Sequence, residues 1–288
     1  MNTVSTIEKL REEVATARLA GKRIGCVPTM GALHAGHLSL VEAAKAESEF
    51  VVVTIFVNPT QFGPNEDLTK YPRPLEEDIA KCRDAGVDLV FHPDVEVVYP
   101  RANATFVEVP GLSDVLEGTF RSGHFRGVTT VVLKLLNMVL PDVVFLGRKD
   151  FQQQLLIRQM VADLDVPVEV RTCPTVREED GLALSSRNVF LSRAERETAL
   201  AISRSLEQIR RLVEGEAVSP VAAGSELKRL LMETDGLLLN YATIVDAATL
   251  EEVSESTSPT VDLVALVAAR IGSTRLIDNI PLCNALKK

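Results

Sequence analysis

The 288-residue chain has no surplus of positive charge: 31 Lys and Arg stand against 40 Asp and Glu, a formal net charge of −9. That sign excludes attachment to nucleic acid by bulk electrostatics and leaves only a local basic site for a small anion. Cysteine is scarce and scattered. Cys26, Cys82, Cys173 and Cys283 form no Cys-x-x-Cys pair and have no histidine at metal-ligand spacing, so neither a zinc site nor a disulfide framework is predicted, and a reducing, cytoplasmic setting fits best. Long apolar runs are missing as well. The first residues, MNTVSTIEKLREEV, lack the apolar stretch of a signal peptide, and the strongest run, residues 50–57, falls far short of the ~20 residues a membrane helix needs. The expectation is a soluble, unexported protein that engages neither membrane nor nucleic acid, in which the Asn103-Ala-Thr105 sequon is accidental.

What is present is ordinary globular material, 46% hydrophobic and 25% charged, enough for a sizeable core and ruling out global disorder. The length favours two domains over one. Ser5-Thr-Ile-Glu8 reads as a capping box, and Ile7, Leu10 and Val14 recur at helical spacing until Gly21. A strand over 23–27, a helix from about Gly36 and the β-rich FVVVTIFV follow. The unit repeats with a charged helix over 75–85 closed by Gly86 and a strand over 87–91. Val128, Val131, Val132, Leu135, Leu136 and Val139 form one apolar helical stripe ended by Pro141. A strand over 143–146, a helix over 150–164 and a strand over 168–172 complete the alternation. It predicts an α/β fold, a Rossmann-like doubly wound parallel sheet, over residues 1–175. Beyond Pro174 two long helical runs precede β-rich stretches near 241–245 and 263–269, predicting a smaller α+β domain over 176–288. No repeat, low-complexity tract or flexible linker separates them, which suits a site enclosed between the two.

Three segments carry the chemistry. Pro28-Thr29-Met30-Gly31-Ala-Leu-His34-Ala35-Gly36-His37 follows a strand and opens a helix, so two glycines allow close backbone approach and two imidazoles sit at the positive end of a helix dipole, an arrangement suited to a polyphosphate. With four histidines and 16 glycines in the chain, His-x-Gly-His would arise by chance about 0.003 times. The plainer alternative is a pair of exposed helix-cap histidines. Gly147-Arg148-Lys149-Asp150 also lies where a strand ends and a helix opens, the ligand-binding edge of such sheets. Lys149 is fit to neutralise phosphate, and Asp150 to cap the helix or accept a ribose hydroxyl, although a mere cap and a solvated lysine would leave the same pattern. Ser185-Ser186-Arg187-Asn188, at the inferred domain junction, makes an anion clamp for a leaving pyrophosphate or, in isolation, simply a turn.

Other stretches are weaker. Asn58 and Gln61 leave a strand as uncharged amides able to hold hydroxyls and carboxylates. Glu77 and Asp78, in an acidic run opening a helix, either carry magnesium or complement the helix dipole, the latter being the commoner use. Gly123-His124-Phe-Arg126-Gly127 is a basic loop before the amphipathic helix, serving a substrate or only the start of that helix.

In order, the segments PTMGALHAGH, FVNPTQFGPNEDLTKYPR, GHFRGVTTVVLKLL, FLGRKDFQQ and TVREEDGLALSSRN closely resemble those of the pantothenate synthetases, or pantoate–β-alanine ligases, within the wider HxGH nucleotidyltransferase superfamily. The resemblance covers the first 190 residues and, less distinctively, GSTRLIDNI near the end. It implies ATP-driven condensation of (R)-pantoate with β-alanine to pantothenate, AMP and pyrophosphate through pantoyl adenylate, with Mg2+ required, in a cytoplasmic homodimer. By motif, residues 28–31, His34, Gly36, His37, 147–150, Val176, Leu184, Ser185, Ser186 and Arg187 would contact ATP, with His34, His37, Lys149, Ser185, Ser186 and Arg187 acting on the phosphates. Gln61, Gln153 and Asn58 would hold pantoate and β-alanine, Glu77 and Asp78 the metal, and the smaller domain would be a lid. Ala35 and Arg148 stand where the family commonly has glutamate. The competing functions are another nucleotidyltransferase that leaves AMP on its product, and a nucleotide-binding regulator without turnover.

Overall fold

The computed structural model describes residues 1–64, 66, 68–101, 104–215, 218–258 and 260–282. Cys283, Asn103 of the sequon, and Asn65 and Asp67 of the second motif lie outside the described residues. The chain divides into two compact units, Met1–Thr175 and Val176–Lys288.

The first unit runs β1 (Asn2–Val4), α1 (Ile7–Leu19), β2 (Ile24–Thr29), α2 (Ala35–Glu47), β3 (Phe50–Ile55), α3 (Leu75–Asp84), β4 (Leu89–Phe91), α4 (Val95–Val98), α5 (Glu117–Phe120), α6 (His124–Val139), β5 (Val143–Gly147), α7 (Phe151–Asp163) and β6 (Glu169–Cys173). These strands pair in parallel throughout, in the order β1-β4-β3-β2-β5-β6. Their central members are almost continuously apolar because helices cover both faces of the sheet, as parallel strands require. The doubly wound α/β expectation therefore holds.

Local differences have local causes. Helix α1 is capped by Thr6, whose hydroxyl accepts from the Lys9 N–H, one residue later than the capping-box reading places it. The apolar stripe Val128 to Val139 is buried as predicted, but α6 begins four residues earlier, at His124, after Gly123 adopts φ +76°. The glycine-bearing first turn is a poor helix former in isolation and is helical here through its packing. Strand β1 is a three-residue edge, too short to carry a periodic signal.

The second unit contains α8 (Arg193–Gly215), α9 (Pro220–Met232), β7 (Leu237–Asp246), β8 (Leu263–Ile271) and β9 (Thr274–Leu282). The three strands form an antiparallel sheet in chain order, with a core of its own that includes Leu206, Ile209, Leu227 and Val267. Strand β9 escaped the sequence reading because Arg275, Asp278 and Asn279 interrupt its apolar alternation. Asp278 is nonetheless buried, and Arg177 meets it with two hydrogen bonds at 2.6 and 3.0 Å.

Candidate active site

The sheet order reverses between β2 and β5: from β2 the chain moves outward through β3, and β5 lies on its other side. These two strands pair at only two positions, Gly25 with Val143 and Cys26 with Val144, so their carboxyl-terminal halves are not joined to each other. That unpaired edge is the crevice in which doubly wound sheets bind ligands. The two loops that leave it, residues 30–34 after β2 and 148–150 after β5, hold the histidine and lysine motifs.

The histidine loop fixes its own protonation. His34 is the N-cap of α2, and its Nδ1 accepts from the Gly36 N–H at 3.1 Å. His37 returns the contact: its Nδ1 lies 3.3 Å from the His34 backbone nitrogen and accepts from it. A backbone N–H can only donate, so both Nδ1 atoms are unprotonated and each neutral ring carries its hydrogen on Nε2. The rings lie 4.1 Å apart, centroid to centroid. The cap reading and the binding reading are thus compatible, because capping uses Nδ1 and leaves Nε2–H as each ring's donor.

Asp78 has a different task from the magnesium binding suggested by motif. It is 1% exposed, and its carboxylate accepts from the successive N–H groups of Ala32 at 2.8 Å and Leu33 at 2.7 Å. Ala32 is held at φ 51°, a conformation costing a non-glycine residue about 1 kcal/mol, which the paired N–H bonds to one carboxylate offset. Gly31 has φ +80°, and a Cβ there would lie 2.9 Å from Asp78 Oδ2, so both backbone and space demand glycine. Lys81 donates to the Leu33 carbonyl at 2.8 Å, and Thr29 Oγ1 accepts from the Gly31 N–H at 3.2 Å. Glu77, one residue away, is exposed, and among the described residues no group of three His, Cys, Asp or Glu side chains could hold a metal.

His37 also senses the second loop. Burial, with smaller contributions from His34, Lys149 and Lys81, pushes its pKa down to about 3 against the opposing pull of Asp150. The imidazole pair, Lys149, Lys81 and Asp150 therefore share one electrostatic neighbourhood, cationic and rich in neutral donors. Asp150 occupies the N-cap position of α7, yet its carboxylate makes no capping bond. It is not the mere cap of the plainer reading.

Burial likewise lowers the His124 pKa to about 4, with Arg121 adding to the effect. Both rings are neutral when folded and take up protons only when unfolded, so stability is fully present above pH ~6.5 and is lost as the pH falls toward 4 and below. His124 alone accounts for a loss on the order of 3 kcal/mol across that window. Urea unfolding between pH 7 and 4 checks this, and an unchanged midpoint would contradict it.

Gln61 ends the single-turn 3-10 helix Pro59–Gln61. Its Oε1 accepts from Asn58 Nδ2 at 3.1 Å and its Nε2 lies 3.1 Å from Met30 Sδ, beside the histidine loop. Asn58 is fully committed: Nδ2 also donates to the Gly127 carbonyl, and Oδ1 accepts from Thr60 and Tyr99. Its observed work is to hold Gln61. A Cβ on Gly127 would lie 2.7 Å from Gln61 Cα and closer still to the Thr60 carbonyl. Gly127→Ala should therefore displace this turn, costing about 1–3 kcal/mol of stability, measured by thermal unfolding. Of the three glutamines opening α7, Gln152 is spent on the Leu112 and Val115 carbonyls and Gln154 accepts from Thr172, whereas Gln153 is half-buried and its side chain makes no hydrogen bond among the described residues.

In the second unit, residues 176–184 fold back on themselves through the Leu184 N–H to Val176 carbonyl bond and deliver Ser185 as the cap of the 3-10 helix Ser186–Phe190. Ser185 Oγ accepts from the Arg187 N–H at 3.3 Å. The scaffolding residues of this motif were passed over in the sequence. Arg177 binds Asp278, Glu178 and Asp180 grip Arg196, and Asn188 donates to Glu178. Asp78 as an anchor and Lys81 were missed as well, and the His124–Gly127 segment was noted without its contacts to the Gln61 turn, because contacts to backbone leave no periodic pattern.

The family profile described as Pantoate-beta-alanine ligase matches residues 2–281. The pantothenate synthetase of Stutzerimonas stutzeri is 52% identical over 282 residues, covering 97% of both chains, and that of Rhizobium johnstonii is 49% identical, covering 97% of this chain and 91% of its own. A crystal structure of pantothenate synthetase from Thermus thermophilus superposes with a TM-score of 0.90 at 47% identity, over 97% of this chain and 99% of that one. The pantoate-beta-alanine ligase of Francisella tularensis, complexed with beta-gamma ATP and beta-alanine, gives a TM-score of 0.79 at 35% identity over 98% and 97% of the two chains.

Proposed function

The chain belongs to the pantoate–β-alanine ligase family and forms pantothenate from pantoate and β-alanine with ATP; we propose that it does so through pantoyl adenylate, made at the crevice between β2 and β5. The carrying observation is the pair of neutral imidazoles beside Lys149 at the switch point. A pantoate carboxylate oxygen attacks the α-phosphorus, the bond to the β-phosphate oxygen breaks, and pyrophosphate leaves. The Nε2–H groups of His34 and His37 and the Lys149 ammonium stabilise the charge that grows on the phosphate oxygens. His37, neutral at pH 7, works as a fixed hydrogen-bond donor rather than as an imidazolium acid. Ser185, Ser186 and Arg187 are assigned to the departing pyrophosphate, and Asp150 to a ribose hydroxyl.

In the second step the β-alanine amine attacks the acyl carbon and the bond to the AMP oxygen breaks. Gln61 and Gln153 orient the two substrates, so geometry and exclusion of water supply most of the acceleration. Glu77 and Asp78 do not fit a direct magnesium site, since one is exposed and the other is engaged by backbone N–H groups. Magnesium is proposed to be held by ATP oxygens and water, where it offsets phosphate charge. A homodimer in the cytoplasm is part of the same reading, supported by family membership and by the free thiols of Cys26, Cys82 and Cys173. Light scattering checks the assembly.

Isotope transfer tests the route. Pantoate labelled with 18O at both carboxylate oxygens is expected to pass one labelled oxygen to AMP and keep the other in the pantothenate amide, whereas label delivered to pyrophosphate or to water instead of AMP would rule the adenylate out.

A further inference from the structure

We propose that His124 is a positioning residue for substrate binding, a clamp of fixed tautomer between Arg121 and the backbone carbonyl of Gln61. The proposal rests on the reading of Gln61 as a substrate-holding amide. His124 is 7% exposed at the first turn of α6. Its Nε2 lies 2.8 Å from an Arg121 guanidinium nitrogen, and its Nδ1 lies 2.8 Å from the Gln61 carbonyl oxygen. A guanidinium only donates and a carbonyl only accepts, so Nε2 must be bare and Nδ1 must carry the hydrogen. No other neutral form satisfies both contacts. A second proton on the ring would face the Arg121 charge, which agrees with the depressed basicity described above.

Arg121 is itself pinned by two bonds to Glu66, at 2.7 and 2.8 Å. The corner between α5 and α6 thus grips the loop after β3 at two points, the Gln61 carbonyl and the Glu66 carboxylate. Asn58 fixes the other end of Gln61, its side-chain oxygen. With backbone and side chain both tethered, the Gln61 amide is presented beside Met30 of the histidine loop without a conformational search. Such preorganisation lowers the cost of binding in a way that a loop free to move cannot.

The test compares His124→Gln, His124→Asn and Gln61→Ala in the full-length enzyme. Asparagine places its amide nitrogen where Nδ1 stood and keeps the bond to the Gln61 carbonyl, whereas glutamine reaches the Nε2 position and loses it. His124→Gln should raise the KM for pantoate and β-alanine about tenfold and leave that for ATP within about twofold, and His124→Asn should recover most of the loss. Combined with Gln61→Ala, His124→Gln should add little. Equal losses in every kinetic constant for both His124 variants, tracking a lowered melting midpoint, would overturn the clamp in favour of a purely structural histidine. Normal kinetics in His124→Gln alongside an impaired Gln61→Ala would overturn the clamp alone. If Gln61→Ala leaves both KM values unchanged, the reading of Gln61 fails and the clamp fails with it.

Discussion

Replacing His37 with alanine is expected to slow pantoate-dependent pyrophosphate exchange about 10²–10³-fold, the usual effect of removing one preorganised donor from a charge-stabilising site. The same change removes the acceptor for the His34 N–H, and a lost helix cap costs about 1 kcal/mol. Because a hundredfold rate loss corresponds to about 2.7 kcal/mol, chemistry should suffer more than folding. His37→Asn separates the two roles. Its amide oxygen can replace Nδ1 in the cap but does not reach the position of Nε2, so stability should return and exchange should stay low. Recovery of both by asparagine would make His37 a cap and nothing more.

Asp78→Ala should give the largest loss of stability. Two short hydrogen bonds from Ala32 and Leu33 to a buried carboxylate disappear together, and bonds to charged groups are worth about 1.5–3 kcal/mol each. A loss of about 3–5 kcal/mol in urea unfolding is expected. Activity should fall further than the folded fraction accounts for, since Ala32 has no remaining reason to hold φ 51° and His34 lies two residues on. Asp78→Asn keeps one acceptor but turns an amide N–H toward the loop, so it should fail nearly as badly. A stable Asp78→Ala enzyme that has lost only its response to magnesium would restore the metal role.

These two residues show what the sequence could and could not reveal. The stripe from Val128 to Val139 and the run Phe50 to Ile55 were legible because burial leaves a hydrophobic imprint with the period of its element. The histidine motif was legible because its residue types are rare and its spacing is local. Asp78 was not, since an acidic residue in a helix first turn looks the same whether it faces solvent, a metal or two backbone N–H groups far back along the chain. His124 was noted in its loop, but its role was hidden for a related reason: its partners, Arg121 and the Gln61 carbonyl, meet only after α6 packs on the turn at 59–61. Strands β1 and β9 fell below detection because one is only three residues with a single apolar side chain and the other spends Asp278 on a buried ion pair. Periodicity reports what an element buries. It is silent about which polar atom meets which.

The proposed route through an adenylate requires that one triphosphate be met by both histidines and Lys149 at the open edge between β2 and β5. A crystal structure with a non-hydrolysable ATP analogue and pantoate tests it directly. The predicted result has both imidazole Nε2 atoms and Lys149 Nζ at about 3 Å from phosphate oxygens, with Arg187 on the same nucleotide and the pantoate carboxylate facing the α-phosphorus. A nucleotide bound elsewhere, or contacted by the lysine and not by the imidazoles, would contradict it.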